Sequence, residues 1–260
     1  MTGENAFYLP RGEGRYQPTR HTAGPWTEGA QHFGPPSALL VRALEAVPLE
    51  RASRLARVTV EILGPAPLTA LTVRARVERP GRSVELLVAE LASGTRTVAR
   101  ASAWRVATSD TAEIANLPSG DWPKPEDCPE ARWPEGWLPG FLEAVEWRSV
   151  SGGLAQPGPA SVWGRQRVAL VDGEEPTPLQ RLFAVADCGN GASNFLDART
   201  WWFINSELTV HLHRLPRGEW IGLDAATAVG PDGIGTATST LRDSEGPVAT
   251  GAQALLVRPR

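Results

Sequence analysis

The chain is 260 residues long, 42% hydrophobic and 21% charged, with a formal net charge of -3. That length suits one large domain or two halves of about 130 residues with a substantial core, and a charge without blocks of one sign removes the electrostatic case for nucleic acid or an anionic membrane as partner. No apolar run approaches the roughly 18 residues of a bilayer span, and the first residues show neither a basic nor an apolar leader pattern, so the expectation is a cytoplasmic protein.

After a polar N-terminal stretch, residues 37–47 carry apolar side chains at helical spacing, opened by Gly34-Pro35-Pro36 and closed by Pro48. From Arg57 the period changes to two, with Val58, Val60 and Ile62 alternating with Arg57, Thr59 and Glu61. Strand-like runs follow at 71–78, 83–91 and 97–106, separated by Pro80-Gly81 and Ser93-Gly94 turns. Residues 108–140 break the pattern with six prolines among Trp122, Trp133 and Trp137, a connection expected to pack through its indole rings. Strands are expected again at 145–150 and 161–171. Thr177-Pro178 reads as a capped helix start into 179–186, and Asp187-Cys188-Gly189-Asn190-Gly191 reads as its end. Four more strands, at 201–212, 219–228, 235–242 and 247–257, complete the chain.

The second series repeats the first. Thr59-Val60 returns as Thr209-Val210 and Val98-Ala99 as Val248-Ala249, an offset of 150 residues, which reads as two tandem copies of one module. The expected division is a first module over 1–107, the connection over 108–140 and a second module over 141–260 that carries the site. At this offset Asp187, Asn205 and Gln253 fall opposite Ser37, Leu55 and Ala103, so one copy is equipped for chemistry and the other for support.

Several motifs, taken in order, resemble the acyl-CoA thioesterase II (TesB-like) family. They are Ala186-Asp187 at a helix end, His213-Arg214 through Glu219-Trp220 between strands, Val248-Ala249-Thr250 with Gln253 on the last strand, and His32-Phe33-Gly34 before the first helix. The resemblance implies an α+β double hot-dog, each module a central helix wrapped by a curled antiparallel sheet. It implies hydrolysis of an acyl thioester such as acyl-CoA by a water that an Asp, a hydroxyl residue and a Gln position together. Asp187 and Gln253 match the first and last of these; the hydroxyl position falls on Asn205, with Ser206 one step away. An amide can orient water but cannot relay a proton as a hydroxyl does.

A base, a positioned water and donors toward the developing oxyanion are what thioester hydrolysis needs. Asp187 at the end of an apolar helix is a candidate base whose pKa desolvation would raise. Backbone N–H groups of the 188–191 turn, or at a helix start, are candidate oxyanion donors. Alternation groups Asn205 with Phe203, Glu207 and Thr209 on one strand face. No metal or organic cofactor is implied, and His211 and His213, alternating on one strand, lack a third ligand in view. A catalytically weak acyl-chain or acyl-CoA binding protein is the alternative. A hydratase ranks lower because the sequence places no His near Asp187. The open edge of such sheets leads to the expectation of a homodimer or a dimer of dimers.

Overall fold

The computed structural model of the chain describes residues 5–25, 29–49 and 51–260. In the first half, strands β1 (Ala6–Pro10) and β2 (Arg15–Pro18) precede helix α1 (Gly34–Glu45) and strands β3 (Ser53–Ile62), β4 (Leu71–Arg79), β5 (Val84–Ser93) and β6 (Arg96–Ala107). In the second half, α2 (Phe141–Ala144), β7 (Val145–Ser151), β8 (Ala160–Gln166) and β9 (Ala169–Val171) lead into α3 (Pro178–Ala186) and α4 (Gly189–Ala192). Strands β10 (Trp201–Asn205), β11 (Glu207–Leu212), β12 (Trp220–Val229), β13 (Ile234–Asp243) and β14 (Gly246–Pro259) follow.

The strands form one continuous sheet in the order β7-β8-β12-β13-β14-β11-β3-β6-β5-β4-β2-β1-β9, with β10 pairing β14 alongside β11. At its middle the two copies meet edge to edge. β3 and β11 run antiparallel with Thr59 opposite Thr209, and the two hydroxyls lie 3.0 Å apart. Equivalent residues of the two copies therefore face each other on a local two-fold axis. Each helix lies across the concave side of its own half, with Leu39, Leu40 and Leu44 of α1 and Leu182, Phe183 and Val185 of α3 in one core shared by both halves. This is the α+β architecture the sequence led us to expect.

Three boundaries differ from expectation. Helix α1 begins at Gly34, because Pro35 and Pro36 occupy its first turn, where a missing N–H costs nothing. The N-terminal stretch is not a polar tail: Phe7 and Tyr8 are fully buried, and β1 runs parallel to β9 of the second half. The run expected at 161–171 accordingly splits, β8 staying beside β12 while β9 crosses to β1. The proline-rich connection does pack through its rings, Trp122 meeting Trp163 edge to face at 5.2 Å beneath the Arg242 guanidinium. Among the described residues no helix is long and apolar enough to cross a membrane.

Candidate active site

Helix α3 sets the site. Thr177 caps it, its hydroxyl oxygen accepting from the Gln180 N–H at 3.2 Å, and its apolar face carries the chain through the core to Asp187. The 187–191 segment does not simply end the helix as expected. After Asp187 the backbone turns at once into α4, whose first residue, Gly189, leaves room for the Gln253 amide: a Cβ there would stand 2.7 Å from the Gln253 Oε1 and displace it.

All three residues singled out in the sequence converge. Asn205 Nδ2 donates to Asp187 Oδ1 at 2.8 Å, and Gln253 Nε2 approaches the same oxygen at 3.4 Å while donating to the Asp187 carbonyl at 3.1 Å. Gln253 Oε1 accepts the Asn190 N–H at 2.9 Å. The Gln253 amide is thus spent on the α3–α4 junction; it is 2% exposed and does not reach the adjoining cavity. Its expected part in gripping the water gives way to holding the carboxylate and the backbone around it.

A one-residue bulge places Asn205. Asn205 pairs with Leu255, but Thr209 pairs with Ala252, so the β10–β11 side carries one residue more than β14 between these points. The extra residue, Ser206, reverses the face. Phe203 and Asn205 point inward before it, and Leu208 and Val210 point inward after it, whereas Glu207 and Thr209 bond to each other on the outside at 2.8 Å. The alternation expected from the sequence, with Asn205, Glu207 and Thr209 on one face, fails at that point. Ser206 takes its place on the outer face, its hydroxyl donating to the Ala254 carbonyl at 3.3 Å.

The first half supplies the other wall. Helices α1 and α3 pass so closely that a Cβ on Gly34 would lie 2.4 Å from the Ala184 carbonyl oxygen, again a pair of equivalent positions. This crossing brings the entry of α1 onto the end of α3. The Phe33 N–H donates to the Asp187 carboxylate, and His32 Nδ1 lies 3.4 Å from Asp187 Oδ2. The expectation that no His lies near Asp187 is therefore overturned, and with it the ground for ranking a hydratase low. The site is not confined to the second half. His32 carried no signal beyond its place in the His32-Phe33-Gly34 entry, because the approach of Gly34 to Ala184 that brings it to Asp187 is visible only in the structure.

Burial governs the electrostatics. Asp187 is 4% exposed, and desolvation pushes its carboxyl up to about 7, against the downward pull of the Asn205 amide and the Phe33 N–H. Burial holds the His32 imidazole down at about 3, so it faces Asp187 as a neutral ring and the contact is no ion pair. Burial likewise pushes the adjoining Cys188 thiol well up, which keeps it a thiol. Several oxyanion donors named above are already committed: the Asn190 N–H to Gln253, the Cys188 N–H to Val185, the Phe33 N–H to Asp187 and the Gly34 N–H to His32 Nδ1 at 3.0 Å.

A cavity of about 480 Å³ opens beside the carboxylate, walled by His32 and Phe33 from the first half, by Asn190, Trp202 and Asn205 from the second, and by Leu63 at its rim. It lies where β10 leaves the line of β11. The last backbone bond across that line runs from the Ile62 N–H to the Ser206 carbonyl at 2.9 Å, and beyond it the chain after β3 and strand β10 diverge. Among the described residues no group of three or more His, Cys, Asp or Glu side chains is placed to hold a metal ion.

A model of the acyl-CoA thioesterase N-terminal domain matches residues 22–106, and a model of the acyl-CoA thioesterase C-terminal domain matches residues 125–257. No curated protein sequence matches. Among solved structures, a hot-dog-fold protein of unknown function from Alicyclobacillus acidocaldarius superposes with a TM-score of 0.75 at 16% identity, over 98% of this chain and 97% of its own. The tesB protein of Mycobacterium avium subsp. paratuberculosis gives 0.67 at 16% identity, over 97% and 96%. The acyl-CoA thioesterase II TesB2 of Mycobacterium marinum gives 0.66 at 15% identity, over 99% and 96%. At such identities these likenesses establish the double hot-dog fold.

Proposed function

Because the chain belongs to the acyl-CoA thioesterase family, hydrolases of acyl thioesters, we propose that Asp187 is its general base and that Asn205 and Gln253 hold that base in place. The observation that carries this reading is the meeting of two amide groups on one oxygen of a buried carboxylate at the floor of a cavity. A carboxyl titrating near neutrality is matched to taking a proton from water and giving it up again within one turnover. Asn205 does two things with one amide. Nδ2 steadies Asp187, while Oδ1, which accepts from no donor among the described residues, takes one hydrogen of the attacking water.

The other hydrogen passes to Asp187 as the water oxygen bonds to the thioester carbonyl carbon and the carbonyl electron pair moves onto its oxygen. When the tetrahedral intermediate collapses, the C–S bond breaks and the sulfur leaves with the bonding pair. It then receives the proton held on Asp187. Water and thioester become acid and thiol, and the carboxylate is restored. The acyl chain lies along Leu63 and Trp202 at the cavity rim, and acyl-CoA is the substrate proposed.

The test is thiol release from acyl-CoA esters of graded chain length. Asp187→Asn, which keeps the shape and the Asn205 contact, is expected to lower kcat by about a thousandfold with the fold intact. Wild-type rates in that variant would remove Asp187 from the chemistry. Tight acyl-CoA binding by the natural chain without thiol release would instead favour the acyl-binding alternative.

A further inference from the structure

We propose that His32 is a positioning residue for the general base, making Oδ2 of Asp187 the atom that takes the proton from water; this rests on the role of Asp187 given above. The two carboxylate oxygens are not equivalent. Oδ1 faces the Asn205 and Gln253 amides at 2.8 and 3.4 Å, both donors, which favour it as the unprotonated oxygen. Oδ2 faces His32 Nδ1 at 3.4 Å.

That nitrogen is bare. The Gly34 N–H, in the first turn of α1 where no intrahelical acceptor exists, donates to Nδ1 at 3.0 Å, so the ring proton sits on Nε2. Stacking holds the plane of the ring, and the Gly34 N–H selects the orientation that turns Nδ1 toward Asp187. The ring lies face to face on Phe141, centroids 3.9 Å apart and planes 7° apart, and even a Cβ on Gly34 would come within 3.2 Å of Nδ1. Nδ1 has one lone pair, already engaged by the Gly34 N–H, so an O–H on Oδ2 joins it as the second, longer arm of a three-centre contact. An ionised Oδ2 facing that lone pair is repelled and a protonated one attracted. His32 therefore favours the carboxyl protonated on Oδ2, the state reached once the water has given up its proton.

His32 shares that proton without accepting it, because its buried ring resists a positive charge. The proton stays on Oδ2 until the leaving sulfur takes it. His32 and Cys188 are the titratable side chains that adjoin the carboxylate. The thiol is protonated throughout the working range, and the facing groups from β10 and β14 are uncharged amides.

The experiment is the pH profile of kcat/KM for thiol release by the full chain. His32→Phe keeps a flat ring on Phe141 and removes the lone pair; its acid limb is expected to fall by about one pH unit, with kcat down about tenfold. His32→Asn returns an acceptor oxygen near the position of Nδ1, and its limb is expected within a few tenths of the natural one. A His32→Phe limb unmoved or raised overturns the proposal. Should either variant misfold, ¹⁵N NMR of the natural protein decides. A pyridine-type Nδ1 and a protonated Nε2 from about pH 5 to about pH 9 support it, and a proton on Nδ1 overturns it. Absence of thioester hydrolysis in the natural chain would count against the role of Asp187; hydrolysis with an unmoved limb counts against His32 alone.

Discussion

Asp187 is held at a cost to the fold. Its pKa is near 7 in the native chain and about 3.8 when unfolded, so between those values the native state keeps a proton the unfolded state has lost, and stability falls as pH rises through that window. His32 works in the opposite direction. Native at about 3 and unfolded at 6.5, it lets the unfolded state bind the extra proton, and stability rises with pH across a window that overlaps most of the first. The two slopes offset each other from about pH 4 to about pH 6.5. Asp187→Asn removes one of them. It is expected to stabilise the fold by about 1–3 kcal/mol at pH 8 and by little at pH 4, read from urea unfolding at both pH values. Gln253→Leu should act the other way, leaving the Asn190 N–H and the Asp187 carbonyl without their partner. A loss of about 2 kcal/mol together with a lower kcat is expected, measured by the same unfolding and by thiol release.

At the level of elements, the site depends on one bulge and one crossing. Period-two reading gave one strand at 201–212 and a last strand at 247–257, which puts Asn205 and Gln253 on strands; their pairing across β10 and β14 is seen only in the structure. The same reading did not give the bulge at Ser206, because nothing in Asn205-Ser206-Glu207 marks an inserted residue; only the register against β14 reveals it. Helical spacing likewise gave α1 and α3 but not their close passage, since a Gly in the first turn of a helix reads as a start signal before it reads as room for a neighbour's carbonyl. His32 was hidden for that reason. Gly34→Ala is expected to cost about 2–3 kcal/mol by forcing the helices apart. It should also withdraw the Phe33 N–H from Asp187, so thermal denaturation and kcat are both expected to fall, the second beyond what loss of folded protein explains.

In the whole molecule the halves are interlocked more thoroughly than a linear pair of modules would be. β3 joins β11 at the middle of the sheet, and β1 reaches across to β9 at its end. The local two-fold axis relates the Asp187 site to a place in the first half that lacks its polar groups. Opposite Asp187 is Ser37, buried with its hydroxyl unpartnered; opposite Asn205 and Gln253 are Leu55 and Ala103; opposite His32 is Leu182, sealed in the core. A lone hydroxyl enclosed there marks a place where polar chemistry has no room left to operate. The stoichiometry follows. Calorimetric titration with a non-hydrolysable acyl thioester analogue should saturate at one equivalent per polypeptide, not two, however symmetric the outline of the two halves.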